Sequence, residues 1–514
     1  MRLPFPKRFP LDCVALFATA LFAIQQFEGT ALYFSVGCTA FILIAALAFN
    51  VGGGMARIAG VYVFFYATLD VIVGLCYKAY LGEPAESNLL EPTRTIEVYV
   101  AGISAMLIAV FISRRFTRKT GLLQNVLDES RMFRSAIGCI VFGIIGPLLI
   151  ALLGDSGDIL QSGFGQLNKL VPMGILLGVY YEIRRSHGRR SLSFPILLTG
   201  VYIFFCGGIV SFSKQGMITP LICWVLPVCV LRYRLSIAQV VGCILCVFIF
   251  FHYLSPYSQY GRRFMTKDQT FTERAKIGFN LLSHPNDLHD KYVENAPETF
   301  YYNTNQGFWD RLQFISVDDG LINDTDQGRV YGLSPIKMGF LNVIPRVFWH
   351  DKVTYNYGYI YILEYGGNIP NEEDYTSGPG ISFSPTGEAY HLAKWRGVLI
   401  VAPLLWLLTF VVMDAVFGNL TASPWGFLVI VTIAHIAPEG MLTGLIYLFT
   451  FGTTIFVFCA LFAAWVAPIF AIAVLGPERH FAAQLTSFAP ANGPGPGQDR
   501  PRLWSAGPPG AHES

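Results

Sequence analysis

The chain has 514 residues, of which 53% are apolar and only 14% charged, with a net charge of +2. A soluble domain carries about a quarter charged residues; this depletion, with a mean hydropathy of +0.48, excludes an ordinary soluble globule. The net charge itself says nothing useful about partners; no nucleic-acid partner is expected.

Apolar runs of roughly 17–25 residues, long enough to cross a bilayer, recur along the sequence. They predict spans near 11–27, 31–49, 58–80, 96–113, 135–153, 169–181, 194–212, 214–231, 237–254, 397–417, 425–442 and 445–475. The first span follows Arg2, Lys7 and Arg8 and ends without a small-residue cleavage pattern, so it is expected to be retained. Arg57, the Arg114–Arg134 cluster, Arg184–Arg190 and Arg232/Arg234 fall in alternate loops. Counting the termini, 19 basic residues lie on these segments, against four on the opposite short loops: Lys78, Arg94, Lys169 and Lys214. The positive-inside rule then predicts a multi-pass protein with twelve spans and both termini cytoplasmic.

The expected fold is an all-α polytopic membrane protein of about 12 transmembrane helices with one large extracytoplasmic loop carrying short surface helices. It divides into a nine-span bundle (1–254), the loop (255–396), a three-span bundle (397–475) and a Pro/Gly-rich cytoplasmic tail (476–514). The loop is rich in Phe, Tyr and Trp, which argues for order. All ten cysteines fall in or beside apolar runs, so no disulfide framework is expected in the loop.

Within the loop, PIKMGFLNVIPRVFW (335–349) has the spacing of an amphipathic surface helix. Pro345 suits a first helical position, which would set Arg346 where free N–H groups favour an anion. SPTGEAYHLAKW (384–395) predicts a second helix capped by Ser384, with Glu388, His391 and Trp395 on one face.

Two sets of side chains carry chemistry. Arg311, Arg346 and Lys352, with Lys214 on the turn between the seventh and eighth spans, suit a lipid phosphate. The bland alternative is solvated charge, since by count the loop holds 17 acids and 13 bases. Lys214 stands out because its flanks are apolar and charge at span depth is costly. The second set is Glu388 with His391, and the rival pair His350 and Asp351; any of them could take a proton from a hydroxyl. The alternative is that Glu388 serves as a helix cap. The ExxH spacing of Glu388/His391 lacks further ligands, so no metal is expected, and GGGMAR (52–57) reads as a glycine-rich turn rather than a nucleotide loop. Asp70 and Asp414 stand out as the few membrane-embedded charges, too few for an ion-coupled carrier.

The series WDRLQFI, NVIPRVFWHDK and SFSPTGEAY on one loop, preceded by SFSKQG between two spans, resembles the Wzy-type O-antigen and exopolysaccharide repeat-unit polymerases. The likeness covers about 180 residues, from 211 to 395; family members often have Pro after the Asp-Lys step, where this chain has Val353. The resemblance implies transfer of a growing glycan from polyprenyl diphosphate to a newly delivered lipid-linked repeat, on the outer face of a bacterial inner (plasma) membrane. It implies diphosphate contacts from the four cations, one base for the acceptor hydroxyl, and sugar stacking on Trp349, Tyr355 and Tyr357. No cofactor is required, because the diphosphate is already a good leaving group. The implied partners are polyprenyl-diphosphate-linked oligosaccharides and the bilayer, with a chain-length regulator and a flippase as further candidates. A ligase moving finished glycan, or a lipid-linked glycan flippase, are the alternatives.

Overall fold

The computed structural model of the chain describes residues 1–118, 120–124, 126–152, 169–262, 269–284, 314–344, 348–349, 355–365 and 382–476. Among these residues the regular elements are helical, and the sole β contact is an isolated bridge between Arg2 and Arg234. In a bilayer core each backbone polar group must be satisfied within its own segment, which a helix achieves.

The helices along the chain begin with α1 (Leu11–Phe27), α2 (Leu32–Val51), α3 (Ile58–Leu81), α4 (Pro92–Ser113), α5 (Met132–Leu152) and α6 (Leu170–Arg185). They continue with α7 (Phe194–Ile209), α8 (Lys214–Val230), α9 (Ile237–Leu254), α10 (Ser255–Arg262) and α11 (Phe271–Ser283). Then come α12 (Phe314–Asp326), α13 (Ser334–Leu341), α14 (Tyr357–Tyr365), α15 (Pro385–Arg396), α16 (Ala402–Phe417), α17 (Trp425–Glu439) and α18 (Met441–Leu475).

A helix lies on each segment expected to span. Six stretches are long and apolar enough to cross a membrane: α2, α3, α4, α9, the run from α15 through α16, and α18. These mark a membrane protein. Five further apolar helices are shorter, among them α1, α7, α8 and α17. Helix starts follow the expected chemistry: Ser213 caps α8 by accepting from the Gly216 N–H, and Ser236 with Gln239 forms a capping box on α9. The GGGMAR segment is a tight turn, as expected. Gly53 and Gly54 adopt φ +87° and +63°, and a Cβ on Gly54 would lie 2.2 Å from the Lys7 carbonyl oxygen.

The core runs through α2, α3, α4, α16 and α17, where Tyr62, Tyr66, Tyr99, Trp406 and Trp425 are fully buried. Here α4 packs on α2 and α16, and α3 on α17. The side formed by α7, α8 and α9 is looser. Only 11% of the Ile237–Leu254 stretch is buried, against 44–67% of the other five, and no residue of Ile237–Ile249 is buried.

Two expected elements differ in extent. The surface helix stops at Leu341 rather than running toward 349; it packs Gly339 against Ile446 of α18. A fresh helix start at Pro345 falls outside the described residues. The single face of Glu388, His391 and Trp395 is also interrupted: α15 kinks at Ala393 (φ −153°) and Lys394 (φ +49°), so Trp395 follows a new direction. Its ring meets Tyr390 edge-on at 5.4 Å. The tail from 477 lies outside the described residues.

Candidate functional site

The start of α15 is the centre of a buried polar junction joining α3, α4, α12, α14 and α18. Ser384 caps α15 as its sequence predicts, accepting from the Thr386 and Gly387 N–H groups. The same serine donates its N–H to Asp318 Oδ1 at 3.0 Å and its hydroxyl to Asp318 Oδ2. Tyr99 of α4 donates to Asp318 Oδ2 at 2.7 Å. The backbone of Gly387 comes so close that a Cβ there would lie 2.3 Å from the Asp318 carboxyl. This is why SPTGE carries glycine before the glutamate.

Asp318 is 1% exposed. Burial pushes its pKa up to about 6, while the donors from Ser384, Tyr99 and Gly387 pull it back toward the ionised form. Its neighbour Asp319 takes a different helix. It accepts from the Leu90 N–H at 2.5 Å, the Glu91 N–H at 3.1 Å and the Thr95 hydroxyl at 2.6 Å, which pins the chain as it enters α4. Burial raises the pKa of Asp319 as well. Adjacent acids on one helix therefore hold two other helices by their first turns, where N–H groups lack intrahelical partners.

Glu388 lies on α15, directly after Gly387, and is fully buried. Oε1 accepts from the Tyr361 hydroxyl of α14 at 3.0 Å, and Oε2 accepts from the Leu442 N–H at 2.5 Å. Leu442 is in the first turn of α18, just after Met441 turns the chain through φ +53°. Glu388 thus sets an anion at a helix N-terminus, which the helix dipole favours. Two non-glycine residues with positive φ lie on the helices that position this carboxylate: Lys394 (φ +49°) on α15 and Met441 (φ +53°) at the start of α18. Such conformations persist only where the surroundings over-determine them.

His391, 1% exposed, shares a 2.9 Å hydrogen bond between Nδ1 and the Thr325 hydroxyl, and its ring meets Tyr361 at 4.9 Å. Its Nε2 is buried and has no hydrogen-bond partner among the described residues. Below the junction the Tyr66 and Thr386 hydroxyls lie 2.6 Å apart. Asp70, on a π-helical turn of α3, is fully buried with both oxygens unpartnered among the described residues. The rim is ionic: Asp326 accepts from Arg94 at 2.8 Å and from Tyr390 at 2.5 Å.

Of the site residues expected from sequence, the structure brings Glu388 and His391 into this junction. Lys214 stands apart as the first residue of α8. Trp349 and Tyr355 are half-buried, and Tyr357 is buried with its ring against Tyr331, Tyr355 and Tyr361. Arg311, Arg346, His350, Asp351 and Lys352 lie outside the described residues. Asp318, Asp319, Tyr99 and Tyr361 were missed by sequence reasoning. A signal for Asp318 was present: it shares a helical stripe with Ile315, Leu321, Ile322 and Thr325, all buried, and an acid in a core stripe is an informative exception.

Chemically, the junction presents the buried carboxyl groups of Asp318, Asp319 and Glu388, held by neutral donors, beside the buried imidazole of His391. A metal-binding group of three His, Cys, Asp or Glu side chains is absent among the described residues. Comparison with protein-family models, with curated proteins and with solved structures finds no match to this chain.

Proposed function

We propose that this protein is a membrane glycosyltransferase that polymerises polyprenyl-diphosphate-linked oligosaccharide repeats on the outer face of a bacterial plasma membrane. The observation that carries the reading is the Tyr361 hydroxyl donating to Glu388 Oε1 at 3.0 Å. That hydroxyl stands where an acceptor sugar hydroxyl would stand to give up its proton, and a base must come within hydrogen-bond reach of the proton it takes. In the proposed reaction the acceptor displaces Tyr361, Glu388 accepts the proton, and the acceptor oxygen attacks the anomeric carbon as the C–O bond to the diphosphate breaks. The electron pair leaves on the diphosphate, so no general acid is needed, unlike glycoside hydrolysis with its two carboxylates. Cations from the loop and Lys214 would stabilise the departing charge. Asp318 acts as a positioning residue, holding the first turn of α15 and hence Glu388.

The reading is tested by incubating the purified full-length protein with its lipid-linked repeat unit. A ladder of products is expected, and Glu388→Gln, which keeps an acceptor for the Leu442 N–H, should lose the ladder while staying folded. Transfer to another acceptor without a ladder favours a ligase, and near-normal ladders from Glu388→Gln remove that residue from the chemistry.

A further inference from the structure

Between α7, α8 and the stand-off helix α9 lies an open apolar cleft of about 610 Å³, within the range of ligand pockets. Its walls are almost wholly hydrocarbon. Helix α9 turns one face into it (Gln239, Gly242/Cys243, Cys246, Ile249/Phe250), at helical spacing. The opposite face of α9, with Ile237, Val241, Ile244 and Phe248, is exposed. Glycines keep the cleft open on two sides. A Cβ on Gly242 would meet nothing within 4 Å, and one on Gly200 of α7 would touch only Pro220 at 3.6 Å.

Two features say what fits. The first is length. The cleft follows α9 from Gln239 to Leu254, about 22 Å at the rise of a helix. One leaflet of a bilayer is about 15 Å of hydrocarbon, so the cleft runs past the middle of the membrane, a depth that suits a chain longer than one leaflet. The second is charge. The cleft ends at Met217 and Leu254, one turn from Lys214 and at the foot of α10. Helix α10 folds back over the 209–213 turn: Tyr257 donates to the Ile209 carbonyl at 3.0 Å, and Ser258 and Arg262 both donate to the Phe212 carbonyl, Arg262 through Nε at 3.1 Å. Exposed Arg262 and half-buried Lys214 therefore flank one turn at one end of a long apolar slot.

We infer that this cleft holds the isoprenoid chain of a long-chain polyprenyl phosphate, with the phosphate at Lys214 and Arg262. The choice of occupant rests on the lipid-linked substrate proposed above, and it adds Arg262 and the α7–α9 slot to that reading. Helix α9 stands off because its partner is a lipid rather than a helix.

The test uses the full-length protein in nanodiscs of phosphatidylglycerol and phosphatidylcholine, with a photoactivatable undecaprenyl phosphate carrying no sugar. Label should map to peptides within 192–224 and 239–254. Gly242→Trp, and independently Gly200→Phe from the facing wall, should each lower it about tenfold, while Ile244→Trp on the far face of α9 leaves it unchanged. Full labelling in both cleft-filling variants overturns the proposal. So does competition by excess phosphatidylglycerol as effective as that by undecaprenyl phosphate, which would assign the cleft to ordinary lipid, and so would copy-to-copy cross-links through α9. Labelling needs no glycosyl transfer, so intact labelling beside a missing product ladder would fault the polymerase reading and leave the cleft assignment standing.

Discussion

The junction around Asp318 and the flank around α9 solve opposite problems with the same membrane. At the junction, short helices α12, α14 and α15 meet α4 and the start of α18 chiefly through directed hydrogen bonds to buried carboxyl groups. At the flank, an 18-residue helix long and apolar enough to cross a membrane has only 11% of its residues buried. In lipid an apolar surface gains little by leaving one hydrocarbon for another, so apolar faces do not by themselves bring helices together. Polar groups do, because an unsatisfied one in a closed space costs about 1–3 kcal/mol. The comparison teaches that the junction is fixed by its polar contacts, whereas the apolar flank at α9 is left adjustable.

The largest expected effect comes from breaking the junction. Asp318→Ala leaves the Ser384 N–H, the Ser384 hydroxyl and the Tyr99 hydroxyl without their acceptor. At pH 5, where the carboxyl is mostly neutral, the loss should be about 3–5 kcal/mol on this accounting. Thermal unfolding of the purified protein in detergent, followed by tryptophan fluorescence, would measure it; an unchanged midpoint would show that the junction does not hold the fold.

A smaller effect tests the electrostatics of the same contact. Asp318 is raised by burial from the ordinary 3.8 to about 6. A pKa raised on folding means stability that is complete below about pH 4 and is lost as pH rises through about 6. The loss is on the order of 2–3 kcal/mol by pH 7. Asp318→Asn does not titrate, so its deficit relative to the wild type should be largest near pH 4 and shrink by pH 7. A deficit constant across that range would place the carboxyl outside the buried network.

How much of this was legible in the sequence follows the same division. Hydropathy located a helix on every expected segment, because apolar length is a property of one segment at a time. The cap at Ser384 was legible for the same reason: serine followed by proline is a local instruction. Asp319 was not, since its partners at Leu90, Glu91 and Thr95 lie more than two hundred residues away and only the fold brings them near. Glu388 was found for its type and then placed by something no periodicity encodes, the left-handed turn at Met441 that frees the Leu442 N–H. The two ends of α9 were legible, whereas its separation from the bundle was not, because a lipid-facing and a helix-facing Leu read alike in hydropathy.

The smallest expected effect sharpens the other side of the comparison. Ile244 is 63% exposed on the outward face of α9. In a packed core an Ile-to-Ala change costs about 2–5 kcal/mol through lost contacts and a cavity. Ile244→Ala leaves no cavity and removes contacts only with lipid or detergent, so its effect on thermal unfolding should stay within about 0.5 kcal/mol. The matching change on the packed side is Ile103→Ala on α4, where the side chain is fully buried, and it should show the full core penalty. If the two substitutions cost the same, α9 is held by contacts of the ordinary kind and its separation from the bundle has no energetic meaning. A wide gap between them leaves α9 free to move laterally at little cost, which is what a slot that admits a long chain from the side requires.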